Sequence, residues 1–378
     1  MQGTGNREQG REGRPALRVL IAGGGTGGHV IPALAIAREL RDRYGAEVRF
    51  VGTARGLETR LVPEAGFPLE LVRSGQLKNV SLATRARTMF DLPLGVMQCL
   101  GLVRSFKPDV VVGVGGYASG PAMIAAILLR VPTLAYEPNA VPGMTNRLVG
   151  KYVSAAAVNF PETAKYFRNA SVTGVPVRDE IFAVSDRLLG PTRRLLITAG
   201  SNGAKIFNET LPGIAARLLE RVPGLTIVHQ TGERALVATK EAYTHARVDL
   251  ARVTVSAFLT DMPKEYAAAD LVLARAGSTV AELAAAGKPS LLVPLPTAAD
   301  DHQRRNAELV ERGGAADMLL QAELTPEVLL DRLVGLLTDS ERLRKMSDAA
   351  RAMGKPGALH RIGEMVAGLG GYSPPPPV

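Results

Sequence analysis

The stretch Arg18–His29, reading Arg-Val-Leu-Ile-Ala-Gly-Gly-Gly-Thr-Gly-Gly-His, is an apolar run that ends in glycines and feeds a helical pattern beginning near Pro32. It reads as a strand, a phosphate-type loop and a helix. Glycine adopts positive φ without strain and lets the backbone approach a ligand closely, so amides at the helix start can face an anion, commonly a pyrophosphate. Gly23, Gly25 and Gly28 satisfy the G-x-G-x-x-G spacing, but a dinucleotide site also needs an acidic residue at the end of the second strand to hold a ribose. That strand, Glu47–Val51, runs into Gly52-Thr-Ala-Arg55 without one, which counts against a nicotinamide or flavin cofactor.

The 378 residues are too many for one ordinary core and suit two domains. The 40 glycines and 25 prolines fit many tight turns between αβ units. A single cysteine, Cys99, leaves no internal disulfide and no cysteine metal cluster, and the five histidines are scattered, so a reducing, cytosolic setting without a bound metal is expected. Residues 1–16 are polar and glycine-rich with no apolar segment and read as a disordered leader; residues 371–378, ending in prolines, read as a disordered tail. Val110–Leu129 is uncharged over a length that could cross a bilayer, but Gly113, Gly115, Gly116, Gly120 and Pro121 divide it into a strand, a glycine loop and a helix start.

The net charge of +9 is unevenly placed. From Arg73 to Lys107, the basic residues Arg73, Lys78, Arg85, Arg87, Arg104 and Lys107 stand against Asp91 alone. Leu77, Val80, Leu82, Met89, Phe90, Leu92 and Leu94 are interleaved with them. A basic, aliphatic surface suits an anionic lipid headgroup region, and a solvated helix face is the plain alternative. Nucleic acid fits poorly, because stacking on bases needs aromatics among the cations.

Strands at 18–23, 47–52 and 69–72 alternate with helices at 32–44 and 57–65, which predicts a parallel sheet with helices on both faces. Strands at 109–113 and 132–136 end in the loops Gly115–Pro121 and Glu137–Gly143, so these loops are expected on the carboxyl edge of one sheet, where open α/β sheets bind ligands. After a pause at Gly174-Val-Pro-Val-Arg178, Arg194–Ala204 aligns without gaps on Arg18–Gly28. The chain is therefore read as α/β, with two Rossmann-like domains, 17–175 and 176–357, facing across a cleft.

Within that frame Gly200-Ser201-Asn202-Gly203 opens a helix and is placed to hold a diphosphate, with Arg178 as a candidate cation. Glu282, two helical turns beyond Arg275, is placed to accept hydrogen bonds from a ribose diol, although an exposed helix carboxylate would look the same. Asp301-His302-Gln303 follows a strand and suits hydroxyl recognition on a sugar. His29, at the junction of loop and helix, tends to stay neutral as a general base requires, and Glu137 is the competing base. With no metal-ligand spacing, nucleophile elbow or Walker lysine, the pattern suggests transfer from a nucleotide-activated donor.

Together, Gly24–His29, Gly115–Pro121, Glu137–Asn139, Gly174–Arg178, Gly200-Ser201, Arg275–Gly277 with Glu282, and Asp301–Gln303 resemble the MurG family, the bacterial UDP-N-acetylglucosamine transferases of peptidoglycan synthesis. The likeness runs in order from about Arg18 to Leu369. It implies a GT-B fold whose C-terminal helix, near 358–370, crosses back to the first domain. The implied reaction is inverting transfer of N-acetylglucosamine from UDP-N-acetylglucosamine to the muramyl C4 hydroxyl of undecaprenyl-diphospho-N-acetylmuramoyl-pentapeptide, lipid I, giving lipid II.

By the same resemblance, the donor meets Thr26, Gly27, Gly28, Asn139, Arg178, Ser201, Leu259 (uracil, through its backbone), Arg275, Glu282 (ribose), His302 and Gln303. The acceptor meets Gly25, Gly115, Gly116, Tyr117 and Ser119, and His29 or Glu137 assists deprotonation. No cofactor or divalent metal is implied. The implied partners are both substrates, anionic membrane lipids and other cell-wall synthesis proteins, at the cytoplasmic face of the cell membrane. Ala199 and Asn202 stand where the family commonly has Gly and Gln, and Tyr136 and Pro138 where it has His and Gln. The Arg275–Glu282 turn is one residue shorter than usual, which bears on Ser278 and Thr279. Other readings of the same loops are a GT-B UDP-sugar transferase or epimerase with a different acceptor, and a non-catalytic nucleotide-binding scaffold at the membrane.

Overall fold

The computed structural model describes residues 16–74, 82–185, 190, 192–200 and 202–373, with 82–90 described by their backbone alone. Two parallel sheets organise the chain. The first contains β1 (Arg18–Ala22), β2 (Glu47–Gly52), β3 (Leu69–Leu71), β4 (Val110–Gly113), β5 (Thr133–Glu137), β6 (Ala155–Val158) and β7 (Ala170–Val172), ordered β3-β2-β1-β4-β5-β6-β7. The second contains β8 (Arg193–Thr198), β9 (Leu225–Gln230), β10 (Val253–Ser256), β11 (Leu271–Ala274), β12 (Ser290–Leu292) and β13 (Ala316–Met318), ordered β10-β9-β8-β11-β12-β13. Strand order reverses between β1 and β4 and again between β8 and β11. At such switch points an open parallel sheet leaves a crevice along its carboxyl edge.

β1 is buried on both faces and divides its side chains by the two-residue period of a strand. Val19 and Ile21 pack with Ile36 of the helix Gly27–Tyr44 and with Ile362 and Val366 of the C-terminal helix Ala358–Leu369. Leu20 and Ala22 pack instead with Cys99, Val103 and Met123, under the helices Leu82–Phe106 and Ser119–Leu128. β8 repeats the division: Leu195 and Ile197 meet the helices Lys205–Arg221 and Pro326–Thr338, while Leu196 shares a cluster with Val280 and Leu283 of the helix Thr279–Ala285. Because the C-terminal helix belongs to the core of the first half, the chain crosses between halves twice. The crossings touch: a Cβ on Gly174, whose φ is 89°, would sit 2.4 Å from Lys355 Cβ.

Three expectations need revision or lie beyond view. The first helix begins at Gly27, not near Pro32, which is inside it. Glycines are poor helix formers, but their first-turn amides have no intrahelical partner, and the extra turn aims them along the carboxyl edge. β6 and β7 have no counterpart in the sequence reading, since Ala155-Ala-Ala-Val158 is short and alanine-rich and carries little strand signal. Of the basic, aliphatic segment, Leu77, Lys78 and Val80 lie outside the described residues, as do residues 1–15 and 374–378, and nothing is described of the side chains of Leu82, Arg85, Arg87, Met89 and Phe90. In the remainder of that helix Cys99, Val103 and Phe106 are buried while Leu94, Met97 and Arg104 are exposed. Val110–Leu129 forms β4, a loop and a buried helix, and among the described residues no helix is long and apolar enough to cross a membrane.

Ile362 is fully buried against the first sheet. Ile362→Ala is expected to destabilise the fold by about 2–5 kcal/mol through lost transfer energy and the cavity left behind, measured as a lower denaturant midpoint.

Candidate active site

The loops after β1 and β4 meet at the carboxyl edge of the first sheet. Gly115 and Gly116 have φ of 92° and 81°, and a Cβ on Gly116 would lie 2.2 Å from the Gly24 carbonyl oxygen, so the contact is possible only between bare backbones. Gly115 also borders His29, since a Cβ there would come within 2.8 Å of the imidazole Nε2. His29 stands in the first helical turn, its Nδ1 3.5 Å from Thr26 Oγ1. Burial, and then His302 of the other half, hold its pKa below the usual histidine range, offset in part by the Gly24 backbone and Glu58. Two histidines far apart in sequence thus come within electrostatic reach.

Beneath the first loop lies a carboxylate that the sequence pattern does not reveal. Glu58 is buried, with Oε2 accepting from the Gly25 amide at 2.7 Å and Oε1 from the Thr53 amide and hydroxyl at 3.0 Å each. Gly25, expected at the acceptor, therefore has its amide engaged inside the protein. The amides left for an anion are those of Gly27 and Gly28, beside an exposed Thr26 that makes no side-chain cap.

Glu137 does not fit the role of competing base. Its Oε1 accepts from Asn139 N and Nδ2 at 3.0 and 3.1 Å, and its Oε2 from Gly143 N and Asn146 Nδ2 at 3.1 and 3.0 Å. Burial raises its pKa while these four bonds oppose the rise. The buried carboxylate folds the loop 137–143 on itself. Asn139 is drawn into the same network, its Oδ1 accepting from Asn306 Nδ2 at 3.2 Å, so its side-chain oxygen and one amide hydrogen are already engaged. Ser119, expected at the acceptor, is fully buried with Oγ unpartnered among the described residues, packed behind Gly113. Tyr117 is exposed, and its carbonyl accepts from Ser74 Oγ at 2.6 Å.

In the second half Ser201 lies outside the described residues. Gly200 and Gly203, at φ 72° and 66°, border a cavity of about 660 Å³ together with Ser278, Thr279 and Gln303. The helix Lys205–Arg221 starts there, and its N-terminus favours an anion. Arg275 lines this cavity, but its guanidinium donates to the Val293 and Pro294 carbonyls at 3.0 and 3.1 Å and to Gln321 Oε1 at 2.7 Å. These bonds tie down the loop after β12 while Arg275 still lines the cavity. Gln303 Oε1 accepts from the Leu295 amide at 3.0 Å, which leaves its amide nitrogen beside Gly277. His302 Nδ1 donates to the Ala299 carbonyl at 2.7 Å, which fixes the ring's orientation at the start of the helix His302–Arg312.

Glu282 Oε2 accepts from the hydroxyl of Tyr266 at 2.8 Å. Tyr266 is fully buried and was invisible as a site residue in sequence, where it reads as core. Burial raises the Glu282 pKa, and the Tyr266 bond and the nearby Arg178 lower it. Arg178 is exposed at the start of the short helix Asp179–Phe182. Leu259 follows β10, and its backbone amide and carbonyl make no hydrogen bond among the described residues. No group of three His, Cys, Asp or Glu among the described residues gathers as a metal site.

Glu58→Gln tests the clamp beneath the first loop. The new amide must face the Gly25 N–H or the Thr53 donors, so a buried donor loses its acceptor, and a loss of about 1–3 kcal/mol is expected in chemical unfolding.

The family 28 glycosyltransferase N-terminal domain matches residues 19–158, and the family 28 C-terminal domain matches residues 194–362. A UDP-N-acetylglucosamine--N-acetylmuramyl-(pentapeptide) pyrophosphoryl-undecaprenol N-acetylglucosamine transferase of Solibacter usitatus is 44% identical over 359 residues, covering 93% of this chain and 96% of that protein. The crystal structure of Acinetobacter baumannii MurG superposes with a TM-score of 0.78 at 33% identity, covering 93% of this chain and 99% of that one. A UDP-N-acetylglucosamine 2-epimerase structure, at 18% identity and a TM-score of 0.65 over 97% of this chain and 99% of that one, shares the fold alone. Two Rossmann-like halves, each matched by its own family domain, make this chain a GT-B protein belonging to glycosyltransferase family 28, within its MurG branch.

Proposed function

We propose that this enzyme transfers N-acetylglucosamine from UDP-N-acetylglucosamine to the C4 hydroxyl of the muramyl sugar of lipid I, with inversion, giving lipid II for peptidoglycan synthesis. The observation that carries the reading is the pair of carboxyl-edge sites, His29 beside the helix-start amides and over Gly115 in one half, and the glycine-bordered cavity lined by Gln303 in the other.

The donor occupies the second half. The open backbone of Leu259 reads the uracil and Glu282, oriented by Tyr266, accepts from the ribose hydroxyls. Arg178, the N-terminus of Lys205–Arg221 and Ser201 take the diphosphate charge, and His302 and Gln303 hold the sugar. The acceptor diphosphate lies against Gly115, Gly116 and Tyr117, and the Gly27 and Gly28 amides, expected at the donor, are reassigned to it because they open on the edge of the first sheet. His29 accepts the C4 proton as that oxygen attacks the anomeric carbon from the face opposite UDP, and the breaking bond leaves its electron pair on the UDP oxygen. Exposed Leu94 and Met97 beside Arg104 support a peripheral contact with anionic lipid on the cytoplasmic face of the membrane.

The direct test is release of UDP from UDP-N-acetylglucosamine with and without a short-chain lipid I analogue. Release that requires the acceptor is expected, and UDP binding without acceptor-dependent release overturns the assignment. A base works deprotonated, so activity is full above its pKa and lost as pH falls through it. Because burial lowers the His29 pKa from 6.5, the acid limb of kcat/KM is expected below 6.5, and His29→Gln is expected to reduce kcat with no such limb. The loss is about a hundredfold or more. Tyr266→Phe removes the hydroxyl that orients Glu282 and is expected to raise the donor KM about tenfold with kcat nearly unchanged, read by steady-state kinetics.

A further inference from the structure

Asn306 lies in the helix His302–Arg312, the helix that opens with His302 and Gln303, and is 1% exposed. Its carboxamide joins both halves. Oδ1 accepts from the Ala140 amide at 2.9 Å, and Nδ2 donates to Asn139 Oδ1 at 3.2 Å and to the Ala276 carbonyl at 3.0 Å. Asn139 and Ala140 belong to the loop that Glu137 folds, and Thr163 Oγ1 secures their carbonyls from the other side, at 3.1 and 2.9 Å. Ala276 belongs to the turn between β11 and the helix that carries Glu282. One planar group thus touches the loop at the end of β5 in the first half, and in the second half the turn leading to Glu282 and the helix of His302.

The chemistry of the bridge is specific to a carboxamide. It needs two donors and one acceptor on one rigid plane, which Asn supplies and neither a carboxylate nor an aliphatic side chain does. An ion pair between halves near this cleft, Arg147 Nη2 to Asp300 Oδ1 at 3.1 Å, has side chains 38% and 16% exposed and is correspondingly weaker as a tie. Resting on the transfer reading above, we infer that Asn306 is a positioning residue that fixes the acceptor half against the donor half, so that the attacking hydroxyl and the anomeric carbon meet in one geometry. Each half keeps its own ligand contacts when the bridge is cut, so the effect falls on turnover and not on binding. Misplacement of reacting atoms by about 1 Å is enough to cost about a hundredfold in rate.

The test uses the full chain with UDP-N-acetylglucosamine and a short-chain lipid I analogue. Asn306→Ala is expected to lower kcat about a hundredfold while the UDP Kd and the acceptor KM stay within about threefold of wild type. Asn306→Asp keeps the volume and the bond from Ala140 but sets a second oxygen against Asn139 Oδ1 and the Ala276 carbonyl. It is expected to lose at least as much kcat, and it carries the test if Asn306→Ala melts below the assay temperature. Arg147→Ala is expected to change kcat less than about twofold. Undiminished kcat in both Asn306 variants, or a loss that appears as weaker UDP binding, overturns the inference. A wild type without acceptor-dependent UDP release overturns the transfer reading itself.

Discussion

A Cβ on Gly116 would stand 2.2 Å from the Gly24 carbonyl oxygen, and that steric limit governs the first half of the cleft. β1 and β4 are neighbours at the switch point, so the loops leaving them must pass each other in contact. Only backbone fits between them. Once they touch, His29 is pinned over Gly115, and the helix-start amides of Gly27 and Gly28 are left as the polar surface. The second half obeys the same limit by a different pairing, where a Cβ on Gly203 would lie 1.9 Å from the Thr231 carbonyl oxygen and one on Gly232 would lie 2.3 Å from that of Asn202. The two glycine-rich openings are alike in sequence because each must bring a helix N-terminus to a crowded sheet edge.

That constraint was legible in the sequence, and so was most of the architecture. Parallel strands buried on both faces read as unbroken apolar runs, which is why β1, β4, β8 and β11 stand out, and the gapless match of Arg194–Ala204 to Arg18–Gly28 exposes the duplication. β6 and β7 were not legible, because three alanines and a short edge strand carry little β signal of their own and are strands only through their neighbours. The site residues divide in the same way. Glycines were found because their requirement is local. Glu58, Tyr266 and Asn306 were missed because their partners are remote in sequence, the Ala140 amide being 166 positions from Asn306. Glu137 and Ser119 were placed at the correct edge of the sheet, but the sequence did not show that both are buried, Glu137 under four donors.

Three carboxylates show how burial alone fails to distinguish scaffold from site. Glu58 and Glu137 are both almost fully buried, and each has three or four donors from its own half converging on its oxygens. Their acceptor capacity is filled. Glu282 receives one hydrogen bond, from Tyr266, and feels Arg178 only at a distance. A carboxylate held on one oxygen and open on the other is suited to a diol, whereas a filled one is suited to shaping a loop. The open valence, not the identity of the acid, distinguishes Glu282 from Glu58 and Glu137.

The relation between halves follows from how the chain crosses. Both crossings pass one place, where Gly174 lies against Lys355, and the cavity of about 270 Å³ beside them is lined by Val175, Val177 and Met353. The C-terminal helix is packed into the first core, so the halves are joined by a buried helix as well as by the connecting chain. The Asn306 carboxamide makes three hydrogen bonds, two of them between halves, and sits on the helix whose Leu309 and Val310 line that same cavity. Each contributes about 0.5–1.5 kcal/mol net, so these bonds favour this arrangement of the halves by only a few kcal/mol. A preference of that size is large enough to define a geometry and small enough for substrate binding and product release to shift. A covalent crossing and a weak, directional tie on the neighbouring helix together define one alignment of the halves that substrate binding is able to shift.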